Sequence, residues 1–228
     1  MKFRTLLSAL LLAAGLVFAV GCGKSGNNAE ENVGGQTDNK RPSDVKSKML
    51  KIFHARGVAA GNAIKAAGAD GKVLVVFMNL NFGNKTNEGW DVTLKGMEEA
   101  LGSRPVADGI DVENIEIEEG VTPAMVNAVL AKHADAKVIA FCGTLPEKFR
   151  DVNIGTARVF LFDSGCAEPS KLKKYIENGK IIGLMLVRED APRISAPLEE
   201  TDKEIFDKRY FIINKGNIGQ YGKYFDNK

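Results

Sequence analysis

From residue 70 onward the chain alternates short apolar runs with longer stretches of mixed character. Residues 72–79 (KVLVVFMN), 137–142 (KVIAFC), 158–162 (RVFLF) and 181–187 (IIGLMLV) are nearly unbroken apolar runs, rich in β-branched and aromatic side chains. Runs of this length and composition read as strands buried on both faces, as in a parallel sheet covered by helices. Residues 112–118 (VENIEIE) alternate apolar with polar side chains, which predicts a strand with one wet face near an edge. Residues 209–214 (RYFIIN) are a candidate extra strand at the C-terminal end.

The stretches between these runs carry helical periodicity and helix punctuation. Val45, Met49, Ile52, Phe53, Ala60, Ala63, Ile64 and Ala67 recur on one face of a helix over 44–67, with Asp44 as its N-cap and Gly68 as its stop. A second helix follows the polar loop 81–89 and runs over 90–101. Thr122 and Pro123 open a third that ends near His133, a cap residue followed by proline in the first turn. Glu168-Pro169 opens a fourth, closed by Gly179. About 15 residues join the runs at 137–142 and 158–162, room for a turn or two of helix. Strands joined by helical crossovers pair in parallel with right-handed connections. The expected fold is therefore α/β: a single doubly wound, Rossmann-like sheet, mostly parallel, in the order 2-1-3-4-5, with 209–214 as the additional strand.

The first 43 residues do not share this pattern. Lys2 and Arg4 precede an uncharged, mostly apolar stretch over 6–20, which is short for a membrane span of about 20 residues and suited to a signal-peptide core. It ends in Ala19-Val20-Gly21-Cys22, which resembles a bacterial lipobox with Ala19 where Leu is more usual. That resemblance implies an export signal over 1–21, cleavage before Cys22, and diacylation of Cys22. Residues 23–43 (GKSGNNAEENVGGQTDNKRPS) are polar and Gly/Asn-rich, so residues 22–43 read as an acylated anchor and flexible tether, and 44–228 as one folded lobe. Gly23-Lys24-Ser25 has the ending of a phosphate loop, but Phe18 stands where that loop needs glycine.

Composition changes this picture only through charge. The 228 residues are 44% hydrophobic and 26% charged, ordinary for a globular protein. The net charge of +2 lies wholly in Lys2 and Arg4; without residues 1–21 there are 29 basic and 29 acidic residues. A balanced chain lacks the basic face that nucleic acid needs, and it lacks a polybasic patch for anionic lipid. The expected location is exported, held to a bacterial membrane on its periplasmic or cell-surface side by the lipid at Cys22.

Ligands of doubly wound sheets bind beyond the carboxyl ends of the strands. The loops expected there hold Asn81, Asn84, Thr144, Asp163 and Arg188, with Trp90 at the rim. Each has a structural alternative. Asp163 accepts two ligand hydroxyls or caps its own loop; Trp90 stacks on a sugar ring or packs; Arg188 pairs with an anion or with Glu189 or Asp190; Asn81 and Asn84 contact ligand or make turns. Cys142 and Cys166 sit near the ends of neighbouring strands. In an oxidising compartment they would form a disulfide worth about 3 kcal/mol across a loop of roughly 25 residues, or remain a buried and a free thiol. His54 and His133 have no ligand-like spacing to either cysteine, and no metal or cofactor is implied. There is no G-x-S-x-G elbow, no H-E-x-x-H and no Cys with a His base, so an enzyme is not expected. The pairs Glu98-Glu99, Glu118-Glu119 and Glu199-Glu200 read as solvated surface.

Five segments in order resemble the C-terminal lobe of type I periplasmic solute-binding proteins, the sugar-binding group. GVAAGNAIKAAGADGKVLVV (57–76) is similar to the opening helix-Gly-Lys-strand of that lobe, and GWDVTLKGMEEAL (89–101) to its “R-x-x-G-F-x-x-A-L” helix. ARVFLFDSG (157–165) resembles “V-x-G-F-D”, LKKYIENGKIIGLMLVRED (172–190) resembles “I-x-x-G-x-I-x-A-x-V-x-Q-D”, and RYFIINKGNIGQY (209–221) resembles the terminal “V-x-x-x-N” strand. The resemblance implies recognition of a small, polar, sugar-like solute, the task of such proteins in ABC transporters. Several family features are replaced: Trp90, Asp91 and Thr93 stand near its helix arginine, GTLPEKF (143–149) stands for “N-D-x-M-A”, and Arg188-Glu189-Asp190 replaces its strand-end Gln. Of its polar contacts only Asp163 carries over. With one lobe, the expected affinity is weak unless a partner lobe or a homodimer closes the cleft. The alternative expectation is a non-transport interaction or structural lipoprotein that keeps the lobe and has lost the pocket.

Overall fold

In the computed structural model, residues 42–79, 88–111, 121–143, 149–162 and 169–225 are described. Cys22, the tether, Asn81, Asn84, Thr144, Asp163, Cys166 and the strand expected at 112–118 lie outside them. The described residues belong to the compact unit Lys40–Lys228.

The apolar runs become strands as their composition dictates: β1 (Val73–Asn79), β3 (Val138–Cys142), β4 (Arg158–Phe162) and β5 (Ile181–Val187). All five residues of β3 are buried, which accounts for the absence of polar alternation. The sheet has six strands in the order β2-β1-β3-β4-β5-β6, where β2 is Val106–Asp111 and β6 is Tyr210–Ile213. The first five pair in parallel, and β6 closes the far edge antiparallel to β5, from Val187↔Tyr210 to Leu184↔Ile213.

One expectation is corrected here. The strand beside β1 is Val106–Asp111 (VADGID), in register from Leu74↔Val106 to Asn79↔Asp111. Its Gly and two Asp are poor strand formers. It forms at an edge, where backbone pairing to β1 suffices and only Ile110 need be buried, at 3% exposure.

Helices cover both faces. Helix α1 (Pro42–Ala66), α2 (Glu88–Leu101) and α5 (Asp202–Arg209) pack on the face presenting Val75, Ala140, Phe160 and Met185. Helix α3 (Pro123–Lys132) and α4 (Pro169–Glu177) cover the face presenting Val76, Phe141, Leu161 and Leu184. The cap expected at Thr122 is present: its side chain accepts from the Met125 N–H at 3.3 Å. Asp44, expected as a cap, instead lies within the first turn of α1, where its charge suits the helix dipole. Between β3 and β4 the described residues include a 3-10 turn at Phe149–Asp151. Helix α5 was not anticipated. It is fixed by a capping box in which Thr201 and Glu204 satisfy each other's backbone N–H groups, and it runs directly into β6.

The crossing of α1 and α2 is unusually close. A Cβ on Gly57 would sit 2.1 Å from the Thr93 carbonyl oxygen, and one on Gly96 would sit 2.3 Å from that of His54. The two helices therefore meet backbone to backbone, and Thr93 turns its hydroxyl inward to its own helix, donating to Gly89 O at 2.8 Å.

Candidate functional site

The strand order sets the place. Parallel β1 to β5 all end at one edge, and the order reverses between β1 and β3, the crevice where doubly wound sheets take ligands. Chain leaves this edge at Asn79, Asp111, Cys142, Phe162 and Val187. Asn81 and Asn84 follow β1 in the chain, Thr144 follows β3, Asp163 comes directly after β4 and Arg188 directly after β5. Of these only Arg188 lies within the described residues. Gly143 departs from β3 with φ 75°, a left-handed turn that glycine makes without strain, and a Cβ there would meet nothing within 4 Å.

Trp90 and Arg188 each have structural partners. Trp90 is half-buried at the start of α2, and its ring packs against Phe77 near the end of β1 with centroids 6.1 Å apart. The Arg188 Nε donates to the Asp207 carbonyl oxygen at 2.6 Å, and its guanidinium lies 5.8 Å from the Phe211 ring centre. Glu189, expected as a local partner of Arg188, pairs with Lys223 at 3.2 Å instead. Cys142 is 1% exposed at the end of β3. His54 and His133 both stand beside carboxylates. His54 Nδ1 is 3.0 Å from Asp202 and its Nε2 is 3.2 Å from Glu99, tying α1 to α5 and α2. His133 Nε2 is 3.0 Å from Asp108 of β2.

Two buried cations went unanticipated. Arg56 is 7% exposed, and its guanidinium lies 5.7 Å from the ring centres of Phe53 and Phe162 and 5.2 Å from that of Tyr210. It thus stands against Phe162, the last residue of β4 before Asp163, with attraction to the ring faces offsetting part of its desolvation. The signal was present: Arg56 follows Ile52 and Phe53 by helical spacing on the apolar face of α1. The second is Arg209, whose side chain is 4% exposed and pairs through Nη1 with Glu199 Oε2. Glu199 is itself only 11% exposed, which corrects its reading as solvated surface. Burial raises its carboxyl pKa, but hydrogen bonds from its own backbone, Arg209 and Lys208 outweigh that and leave it below the ordinary glutamate value.

Two depressions flank this end of the molecule. A groove of about 470 Å³ lies between the first halves of α1 and α2, lined by Lys46, Leu50, His54, Glu88 and Val92 among others. A crevice of about 180 Å³ lies beside the β5–β6 pair, between α1 and the segment 188–200. Lys48 on α1 holds that segment, donating to Ser195 O at 3.1 Å and Ala196 O at 2.8 Å.

No protein-family profile and no curated protein matches the chain. Among solved structures it is similar to a carbohydrate transporter from Acidothermus cellulolyticus 11B in complex with myo-inositol, at 13% identity and TM-score 0.48, covering 76% of this chain and 60% of that one. It is also similar to the substrate-binding protein of a sugar ABC transport system from Bordetella parapertussis 12822, at 15% identity and TM-score 0.47, covering 75% and 59%. A third is an ABC transporter solute-binding protein from Agrobacterium vitis bound with alpha-D-tagatopyranose, at 15% identity and TM-score 0.45, covering 77% and 61%. The chain spans about three fifths of the length of each.

Proposed function

We propose that the chain is an exported, lipid-anchored binding module whose lobe recognises a small, polar, sugar-like solute at the carboxyl edge of its sheet. In this reading residues 1–21 direct export, the acylated Cys22 and the segment to residue 43 tether the lobe, and 44–228 bind. The observation that carries it is the reversal of strand order between β1 and β3. It brings the carboxyl ends of β1, β3, β4 and β5 side by side, and each is followed within a few residues by hydrogen-bonding side chains suited to hydroxyl groups. Asp163 is the principal contact in this proposal, accepting two hydroxyls. Asn81, Asn84 and Thr144 add donors and acceptors from the neighbouring strand ends, and Trp90 borders them while still packed on Phe77. Arg188 is the least committed member, since Asp207 and Phe211 already hold it.

Affinity follows from what a single lobe can bury. A ligand covered on one side keeps its other face in water, where each hydrogen bond nets about 0.5–1.5 kcal/mol. A few such bonds, set against the entropy of association, give Kd values of about a millimolar or weaker. Tighter capture requires a second lobe, from a partner or from another copy of this chain. Thermal shift of the full chain against sugars, polyols and organic acids tests the reading. A sugar that raises Tm at millimolar concentration, with the shift lost in Asp163→Ala, supports it. No shift across the panel sinks the solitary binder and favours the interaction lipoprotein, and light scattering then reports whether copies pair.

A further inference from the structure

Strand β6 ends the sheet, so the backbone groups on its outer side face away from any neighbouring strand of the sheet. Alternation identifies them. The Arg188 N–H donates to the Arg209 carbonyl oxygen at 2.8 Å, and the register continues from Val187↔Tyr210 to Leu184↔Ile213. Hydrogen-bonded and non-hydrogen-bonded positions alternate along an antiparallel pair. Phe211 and Ile213 therefore bond inward to β5, and Tyr210, Ile212 and Asn214 turn outward. The Tyr210 N–H is taken by the Phe206 carbonyl oxygen at the end of α5. What faces outward beyond it is the Tyr210 carbonyl, both backbone groups of Ile212 and the Asn214 N–H. In the uncharged run Tyr210-Phe211-Ile212-Ile213-Asn214, such an edge is a template for another strand.

The turn after β6 covers part of that template. The Asn214 carbonyl oxygen accepts from the Asn217 and Ile218 N–H groups at 3.2 and 3.0 Å, and its side chain accepts from the Gly216 N–H at 2.8 Å. The chain is thereby folded back, and the Asn217 carboxamide lies along the strand edge. Its Nδ2 donates to the Ile212 carbonyl oxygen at 2.9 Å, and its Oδ1 accepts from the Asn214 N–H at 2.8 Å. One side chain thus fills the place that an N–H and a C=O of an added strand would take.

Pairing with a second copy shows how much this blocks. A two-fold antiparallel ladder centred on Ile212 would join each Ile212 N–H to the Ile212 carbonyl of the other copy, and each Asn214 N–H to the other copy's Tyr210 carbonyl. Every bond in that ladder needs either the Ile212 carbonyl or the Asn214 N–H, the two groups that Asn217 holds. Such a pair would also point the carboxyl edges of the two sheets in opposite directions, so it could not close a cleft over the strand-end site.

We infer that Asn217 is a lock on the sheet edge, keeping β6 closed to strand addition by a second copy of this chain. Light scattering of the full chain, with amide hydrogen exchange at Ile212 as the local readout, tests this. In Asn217→Ala the mass should rise toward twice the wild-type value as protein concentration increases, and exchange at the Ile212 N–H should slow in step. In wild type that exchange should not depend on concentration. Asn217→Asp still accepts from the Asn214 N–H and adds a charge at the edge, so it should behave as wild type. If Asn217→Ala does not fold, Asn217→Ser decides, because its shorter hydroxyl cannot bridge both groups and should also permit pairing. An alanine variant (or, in its place, the serine variant) whose mass and Ile212 exchange match wild type overturns the inference. So does an Asp variant that pairs as readily as the alanine one, since that would make a loosened turn the cause.

Discussion

Glu199 illustrates how a charge at the end of a polar stretch can be a core residue. Its sequence neighbourhood, Leu198-Glu199-Glu200-Thr201, reads as a solvated lead into a helix. Arg209, one turn past Ile205 at the far end of α5, makes it otherwise by folding its guanidinium back to meet it. Removing one member of such a pair leaves the other buried without compensation, at a cost of about 3 kcal/mol. Glu199→Gln is therefore expected to lower stability to urea by that amount, while the exposed neighbour Glu200→Gln stays within about 0.5 kcal/mol of wild type. The sign of the pH effect follows from the same contacts. Because the folded carboxyl titrates below the ordinary glutamate value, the unfolded chain takes up this proton first as pH falls. The contribution is complete above the ordinary value and is lost as pH drops through the folded one. Urea midpoints across the acidic range should fall more steeply for wild type than for Glu199→Gln; parallel curves would show that the pair contributes no linkage.

Among the elements, the α1–α2 crossing makes the sharpest demand. Gly→Ala inside a helix ordinarily stabilises by about 1 kcal/mol. At Gly57 and Gly96 the added methyl would meet carbonyl oxygens at 2.1 and 2.3 Å, backbone that cannot rotate away. Either substitution must push the helices apart, and overpacking of this kind costs about 1–3 kcal/mol, enough to reverse the sign. Chemical denaturation should show Gly57→Ala and Gly96→Ala each destabilised; a gain in either would mean the helices separate readily. The same elements show what a sequence can disclose. The strands β1, β3, β4 and β5 were legible because burial on both faces leaves an unbroken apolar run. The second strand was not, because Val106–Asp111 derives its structure from backbone pairing with β1 rather than from its own side chains. Helix α5 has almost no apolar periodicity, and its legible signal was the Thr201/Glu204 capping box. At the candidate site, sequence order was enough to expect Arg188 directly after β5, where it stands. Arg56 and Arg209 required knowing which helix faces are covered.

For the whole molecule, the question is what keeps the proposed module at a membrane. No described helix is long and apolar enough to span one. Electrostatic attachment draws about 1 kcal/mol from each Lys or Arg near an anionic surface. Beyond the first 21 residues the chain has 29 basic and 29 acidic side chains, so no net excess is left to exploit. Local pairing removes still more: Lys46 with Glu88, Lys72 with Asp135, and Lys223 with Glu189 all neutralise each other at the surface. Attachment in the proposed reading therefore rests on acyl chains at Cys22. Burial of acyl chains is worth about 0.8 kcal/mol per CH₂, and two chains hold where one binds only marginally. Such an anchor is indifferent to salt, whereas charge attraction fades as the Debye length shrinks to about 3 Å at 1 M. Washing bacterial membranes that carry the full chain with about 1 M salt should thus release none of it. Mass spectrometry of the detergent-extracted protein should find a chain that begins at Cys22 and is heavier by its acyl groups. Release by salt, or an unmodified N-terminus at any other residue, would show that the lobe reaches its membrane by another route.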